Sequence, residues 1–161
     1  MHHPAATPRR RAFTLIEVLI VVVILGLLAA VVAVGFGDAV SSTRRSAFVT
    51  DLHNFSAAAE YYVADTGQPF EDGASGFLPP GMEHYVEPGD FQRRTPLGGL
   101  WDTEGTSSGF TSGLGVHFDD PSENPGLEIM TQIDALIDDG DLTTGAFRQA
   151  DADRFYYAIV Y

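Results

Sequence analysis

The chain has no cysteine, no lysine and a single tryptophan, Trp101, in 161 residues. Without cysteine no disulfide can staple an exported part, so that part must rest on a packed core or a bound metal. Without lysine all nine bases are arginine, and Arg9, Arg10 and Arg11 crowd the N-terminus. Beyond residue 12, six arginines face 22 acids, a side-chain balance of −16, and from Asp65 onward four face 18. A surface this acidic argues against nucleic acid as a partner, because phosphate contacts need clustered Lys or Arg. It suits solubility, cation binding or pairing with basic surfaces. Catalytic signatures are missing too. There is no cysteine nucleophile, no Gly-x-Ser-x-Gly elbow and no phosphate loop. His53, His84 and His117 are scattered without metal-ligand spacing, and structural roles suit His53 and His117. The chain reads as a non-enzyme.

What is present is an almost unbroken apolar run from Phe13 to Phe36, directly behind the three arginines. About 20 apolar residues suffice to cross a bilayer, so this run is long enough. Arginines on its short N-terminal side hold that end in the cytoplasm and send the rest of the chain out. Glu17 breaks the pattern. A carboxylate one turn into a lone membrane helix costs roughly 2.5–3.5 kcal/mol on insertion scales, and a simple anchor gains nothing from it. A free amino group on a neighbouring helix, staggered by about one turn, would meet the charge. Cleavage between Ala12 and Phe13 would create that amine. An ordinary secretory signal is the competing reading. It would be cut after its apolar core, where Ala29, Ala30 and Ala33 stand, and would leave Glu17 without a purpose.

The segment Arg9-Arg10-Arg11-Ala12-Phe13-Thr14-Leu15-Ile16-Glu17 resembles the prepilin signal of type IV pilins and type II secretion pseudopilins, over about 25 residues. The resemblance implies cleavage by a membrane peptidase between Ala12 and Phe13, followed by N-methylation of Phe13. It implies that Glu17 aligns with the Phe13 amine of an adjacent subunit during assembly. That family usually has glycine before the cut, where this chain has Ala12.

Along the chain, residues 1–12 read as a leader peptide, 13–36 as the transmembrane and assembly half of a long helix, and 37–161 as the head. The helix is expected to run to about Ala64. Val40, Phe48, Leu52, Phe55, Ala59 and Tyr62 recur at helical spacing in its second half, and Gly67 supplies the stop. Gly26, Gly35 and Gly37 could serve close packing, or a hinge at 35–37. Residues 66–95 form a long Gly- and Pro-rich connection, with a short helical turn expected around 81–85 and contacts from Leu78, Met82 and Tyr85. The segment Pro96-Leu97-Gly98-Gly99-Leu100-Trp101 looks like the Pro-x-Gly-Gly-x-Trp stretch that opens the sheet in many pilin-like proteins. Residues 110–118 alternate as a half-buried strand, with Phe110, Ser112, Leu114, Val116 and Phe118 on one face, hairpinned to the Trp101 region. Asn124 is expected to cap a short helix with Pro125 at its first position. Leu127, Met130, Ile133, Leu136 and Ile137 form its apolar face, and Gly140 closes it. The segment Arg154 to Tyr161 reads as a final strand between sheet and helix.

The densest acidic cluster is Asp138-Asp139-Gly140-Asp141. Hard cations such as Ca²⁺ take six to eight oxygen ligands, and carboxylates around a glycine turn can supply them. An EF-hand register fails, because placing its central glycine on Gly140 puts Ala135 where the first aspartate should stand. Resemblance to major pseudopilins, which often hold calcium in a C-terminal loop, favours Asp138, Asp139 and Asp141, with Asp151 and Asp153 as further ligands. A solvated turn ending the helix is the competing reading. Asp119-Asp120 is a weaker candidate for the same metal-holding role, and a turn is its competing reading.

The expected fold is α+β and pilin-like, a long N-terminal helix packed on a small antiparallel sheet. The expected function is that of a filament subunit, a type II secretion pseudopilin polymerising into a short fibre that drives protein export. The alternatives are a type IV pilin of a surface pilus (adhesion, motility or DNA uptake) and a membrane-anchored binding module that does not assemble. Expected partners are other pilin-like subunits in homo- and hetero-oligomers, the prepilin peptidase, an inner-membrane assembly platform and the membrane. The chain would sit in a bacterial inner membrane as a single pass, with its head in the periplasm, before entering a filament.

Overall fold

Thr14-Leu15-Ile16-Glu17 is a capping-box sequence, and the chain enters its first helix there. The Glu17 amide donates to the Thr14 hydroxyl at 3.3 Å, and α1 runs Leu15–Thr66. The computed structural model describes residues 13–106 and 109–160, without the side chains of 32–36 and 38. Ala12, the residue before the expected cut, lies outside the described residues. By their contacts the described residues fall into two units, which divide between Ser41 and Ser42. Within the first, the leading part of α1 leaves its large apolar side chains exposed, Phe13 at 79% and Leu15 at 85%.

The second unit contains the rest of α1 and everything after it. Gly67 ends the helix with φ of 66°, its amide donating to the Val63 carbonyl at 2.9 Å, a left-handed stop that glycine adopts without strain. Phe48, Leu52 and Ala59 are buried on one face of this part of α1. Their 3.6-residue period produces that stripe. Phe48 stacks on Trp101 with centroids 5.4 Å apart, and Phe55 meets the same indole edge-on at 4.9 Å. The tryptophan therefore covers the helix as core, as its placement after the glycine pair implies.

The strands are β1 Leu100–Glu104, β2 Ser112–His117, β3 Phe147–Asp151 and β4 Arg154–Val160. They form one antiparallel sheet in the order β1-β2-β4-β3. The expected α+β architecture is present, with the head part of α1 packed on a four-stranded sheet. The C-terminal segment is corrected: β4 lies inside the sheet between β2 and β3, and strand β3 was not foreseen. Its residues 147–151 are half polar and gave no clear alternation.

Register decides which side chains meet the helix. Trp101 pairs with Val116, which pairs with Phe155 on its other side, so all three share the helix-facing side. Gly115 pairs with Asp102 and Tyr156, which therefore share the opposite face. Phe110 was expected beside Leu114 and Val116. It packs instead with Tyr156 and Ala158 on the opposite face, because the register shifts between Ser112 and Gly113.

The connection 67–99 is laid down on the core rather than left loose. Phe70, Met82, Val86 and Phe91 are buried, with a 3₁₀ turn at Met82–His84 and a single helical turn, α2, at Pro88–Phe91. Helix α3 spans Leu127–Ile137. Its N-cap is Gly126, with no side-chain cap. Asn124 instead accepts from the Gly126 amide at 3.0 Å and donates to the Ala152 carbonyl at 3.2 Å, tying the helix entry to the β3–β4 turn. Met130 and Ile133 are buried, whereas Leu127 and Leu136 are exposed, so the apolar face is narrower than its pattern implied.

Candidate functional site

The N-terminal segment is built for display rather than burial. Phe13, Ile16 and Leu19 are all more than half exposed, and Glu17 is exposed among them. Glu17 stands at the third position of the capping box, where a carboxylate also faces the positive end of the helix dipole. That accounts for helix initiation and leaves the carboxylate itself available to a partner. Among the described residues no helix is long and apolar enough to cross a membrane. Side chains 32–36, the end of the run read as a span, lie outside that set.

The acidic loop after α3 is ordered by its own carboxylates. Asp139 accepts from the Asp141 amide at 2.9 Å and from the Thr144 hydroxyl at 2.9 Å. Asp141 accepts from the Thr143 amide at 3.0 Å and hydroxyl at 2.7 Å, which hold its carboxyl below the usual range. Asp138 accepts from the Ala146 amide. Of the other expected ligands, Asp151 accepts from the Ala152 amide at 2.7 Å, and Asp153 stands 3.6 Å from His117 Nε2. The carboxylates that converge are Asp138, Asp139 and one residue sequence reading missed, Asp134. One oxygen from each lies within 4.8 Å of the others.

Asp134 is the unusual member. It projects from the apolar face of α3 beside Met130 and Ile133, is fully buried, and among the described residues neither carboxylate oxygen makes a hydrogen bond of normal geometry. Burial pushes its carboxyl up to about 6, and the nearby Asp139, Asp138 and Asp141 add to the shift, while the Gly140 amide partly opposes it. An acid four residues ahead of Asp138 on an apolar helix face was the available signal.

A second buried acid lies on the far face of the sheet. Asp102 is fully buried, accepts from the Tyr156 hydroxyl at 2.7 Å and from Arg154 Nη1 at 3.1 Å. Desolvation raises its carboxyl, while Tyr156 and Arg154 lower it, and the Tyr156 phenol is pushed up by burial and by this carboxylate. Beside it the Ser75 hydroxyl sits 2.8 Å from His117 Nδ1. The Gly76 amide of this loop is already committed to the Trp101 carbonyl at 2.7 Å. His117 thus fastens a loop to the sheet, the structural role expected of it.

The prokaryotic N-terminal methylation motif matches residues 7–33. This is the prepilin-type signal of type IV pilins and pseudopilins, and it covers the stretch in which Ala12, Phe13 and Glu17 stand. The motif supports a type IV pilin-like or pseudopilin subunit, with membrane anchoring, processing by a prepilin peptidase and assembly with other pilin subunits. No curated protein and no solved structure matches the chain.

Proposed function

We propose that this chain is a type II secretion pseudopilin, a single-pass inner-membrane subunit with a periplasmic head that polymerises into a short fibre driving protein export. The observation that carries the reading is the register of basic leader, Ala12, Phe13 and Glu17 inside the methylation motif. The compact head, the Pro-Leu-Gly-Gly-Leu-Trp segment and the absence of cysteine favour a pseudopilin over a surface pilin. Hydrolysis of the Ala12–Phe13 peptide bond frees an amine, which is then methylated. Glu17 makes entry into the fibre selective, because a carboxylate in an apolar bundle is stable only where a neighbour's amine waits. The test is intact mass and N-terminal sequencing after co-expression with a prepilin peptidase. The expected product starts at N-methylated Phe13. A chain starting at Met1, or cut near Ala30, overturns the reading. Long surface fibres under the microscope would point to a type IV pilus, and a processed chain that stays monomeric to an anchored binding module.

We further propose that the head holds one Ca²⁺ through Asp134, Asp138 and Asp139. The support is Asp134, a buried carboxylate whose oxygens make no hydrogen bond of normal geometry among the described residues and which faces two more carboxylates. Such a group is relieved by a proton or by a bound cation, and two further carboxylates within reach favour the cation. The donors are all oxygen, which suits a hard ion, and Ca–O distances of about 2.3–2.6 Å allow ligand oxygens up to about 5 Å apart. The full chain in detergent should melt several degrees higher in millimolar Ca²⁺ than in chelator, and Asp134→Asn should abolish the difference. An unchanged melting midpoint in the wild type removes the ion from the proposal.

A further inference from the structure

Processing at Phe13 leaves six arginines, and the head uses four of them internally. Arg93 pairs with Asp90 at 2.7 Å, and Arg94 pairs with Asp119 at 3.0 Å and with Glu123. Arg148 donates to the Gly145 carbonyl at 2.7 Å, and Arg154 holds Asp102 at 3.1 Å. Arg44 and Arg45 remain. They are adjacent on α1, exposed and part-exposed, and neither has a hydrogen bond or ion pair among the described residues. A lone surface arginine is ordinarily just solvated. Among the described residues, Arg44 and Arg45 are the two arginines left without a partner in a chain with a large acid excess.

Further along α1 stands a cleft of about 400 Å³ whose walls include Asp51, Asn54, Phe55 and Trp101. Its size falls within the usual range for binding clefts, roughly 300–1,000 Å³. Asp51 and Asn54 have no partner among the described residues. Arg93 and Arg94 also line the cleft, but Asp90, Asp119 and Glu123 already hold them. The charges lining the cleft are balanced, Asp51 and Asp90 against Arg93 and Arg94, and with both arginines held by other acids the cleft is left with Asp51 as its uncommitted charge. It therefore suits a cation with an apolar stem, and an arginine side chain has that form.

One copy cannot close this contact on itself. Arg44 and Asp51 are seven residues apart, about 10 Å along a helix at 1.5 Å per residue, which is beyond ion-pair reach. A second copy displaced along the helix by two turns brings the arginines level with the cleft. We propose that Arg44 and Arg45 of one copy dock at the Asp51 cleft of a second copy of this chain. Donor and acceptor patches differ, so the contact is heterologous and propagates into an open polymer rather than closing a dimer. It also offsets part of the repulsion between acidic heads. The inference rests on the filament reading and adds the head-to-head contact to it.

The test uses the full chain expressed with its peptidase and assembly machinery, with sedimented fibre as the readout. Arg44→Glu with Arg45→Glu should cut fibre at least about tenfold, since like charges facing each other across an interface repel strongly. Adding Asp51→Arg to that variant should restore fibre by swapping the charges. The chain lacks cysteine, so one population carrying Arg45→Cys and another carrying Asp51→Cys should crosslink only when mixed. If the wild type makes no fibre, the filament reading falls and this contact with it. If the wild type and the double charge reversal sediment equally, or the mixed cysteines do not crosslink within fibres, this contact alone is overturned.

Discussion

Replacing Arg154 by methionine isolates the buried carboxylate beneath it. Asp102 has no solvent exposure, one of its oxygens makes no hydrogen bond of normal geometry among the described residues, and its other oxygen is held by Arg154 at 3.1 Å and Tyr156 at 2.7 Å. Removing one partner of a fully buried pair typically costs about 3–5 kcal/mol, because the remaining charge is left uncompensated. Arg154 is 32% exposed, so water already shares its charge, and about 2–4 kcal/mol is the expected loss at pH 8. The pH dependence carries the stronger test. Desolvation raises the Asp102 carboxyl above its ordinary 3.8, and Arg154 opposes that rise. A carboxyl raised on folding contributes stability that is present in full below the unfolded value and lost as pH rises through the folded value. Without Arg154 the folded value climbs further, so the variant's deficit should be large at pH 8 and fall to roughly half or less near pH 5, as a proton replaces the lost arginine. Denaturant melts of the full chain in detergent, followed by tryptophan fluorescence at both pH values, measure this. Asp102→Asn with Arg154→Met should be more stable at pH 8 than Arg154→Met alone. Equal deficits at the two pH values, or strict additivity of the two changes, would refute the reasoning.

Phe48→Ala should destabilise the head by about 3–5 kcal/mol, because the ring is fully buried and stacked on Trp101, and its loss opens a cavity at the helix–sheet seam. Tryptophan fluorescence in a denaturant titration reads both the stability and the loss of stacking, and a loss under 1 kcal/mol would contradict this packing. Gly115→Ala should be at least as damaging, about 3 kcal/mol or more, since its Cβ would stand 2.7 Å from the Tyr156 Cα and against the Phe155 carbonyl. Circular dichroism melts of the same chain would show a normal midpoint if β2 and β4 could separate to admit a methyl group.

Much of the architecture could be read from periodicity. The 3.6-residue stripe from Phe48 to Ala59 and the stop at Gly67 follow from one buried face against one partner, whereas the strand at 112–117, read as half-buried, is buried on both faces because Phe110 and Tyr156 cover the side away from the helix. The failures have specific physical causes. Phe110 changed faces because a register irregularity at Ser112 and Gly113 breaks the period of two, and pattern reading assumes an unbroken ladder. Strand β3 escaped notice because its edge position leaves three of its five residues only half-buried, so its polar and apolar positions do not alternate. Asn124 has the right chemistry for a helix cap but spends both ends of its amide on a turn and a distant carbonyl. At the acidic loop the visible run of aspartates was the self-capping part. The residue with unmet chemistry was Asp134, which an apolar stripe had disguised as an interior position.

The two kinds of unmet chemistry in this chain sort by unit. In the first, what is unsatisfied is apolar: exposed Phe13, Leu15, Ile16 and their successors, with one carboxylate at the helix start. An exposed apolar run of this kind gains free energy when lipid or other apolar helices cover it. In the second, a packed core takes most of the large apolar side chains, although Tyr61, Phe77, Leu127 and Leu136 stay exposed, and charged groups are also unmet among the described residues: Arg44 and Arg45 without acids, Asp51 without a base, and Asp134 buried without a hydrogen bond of normal geometry. A monomeric anchored receptor would need the first kind only, because an anchor asks nothing of its head. A subunit that must leave the bilayer and be held in register needs both. The apolar segment supplies most of the free energy of association, and it is non-directional. In a filament, direction and spacing have to come from directional contacts between heads, ion pairs among them.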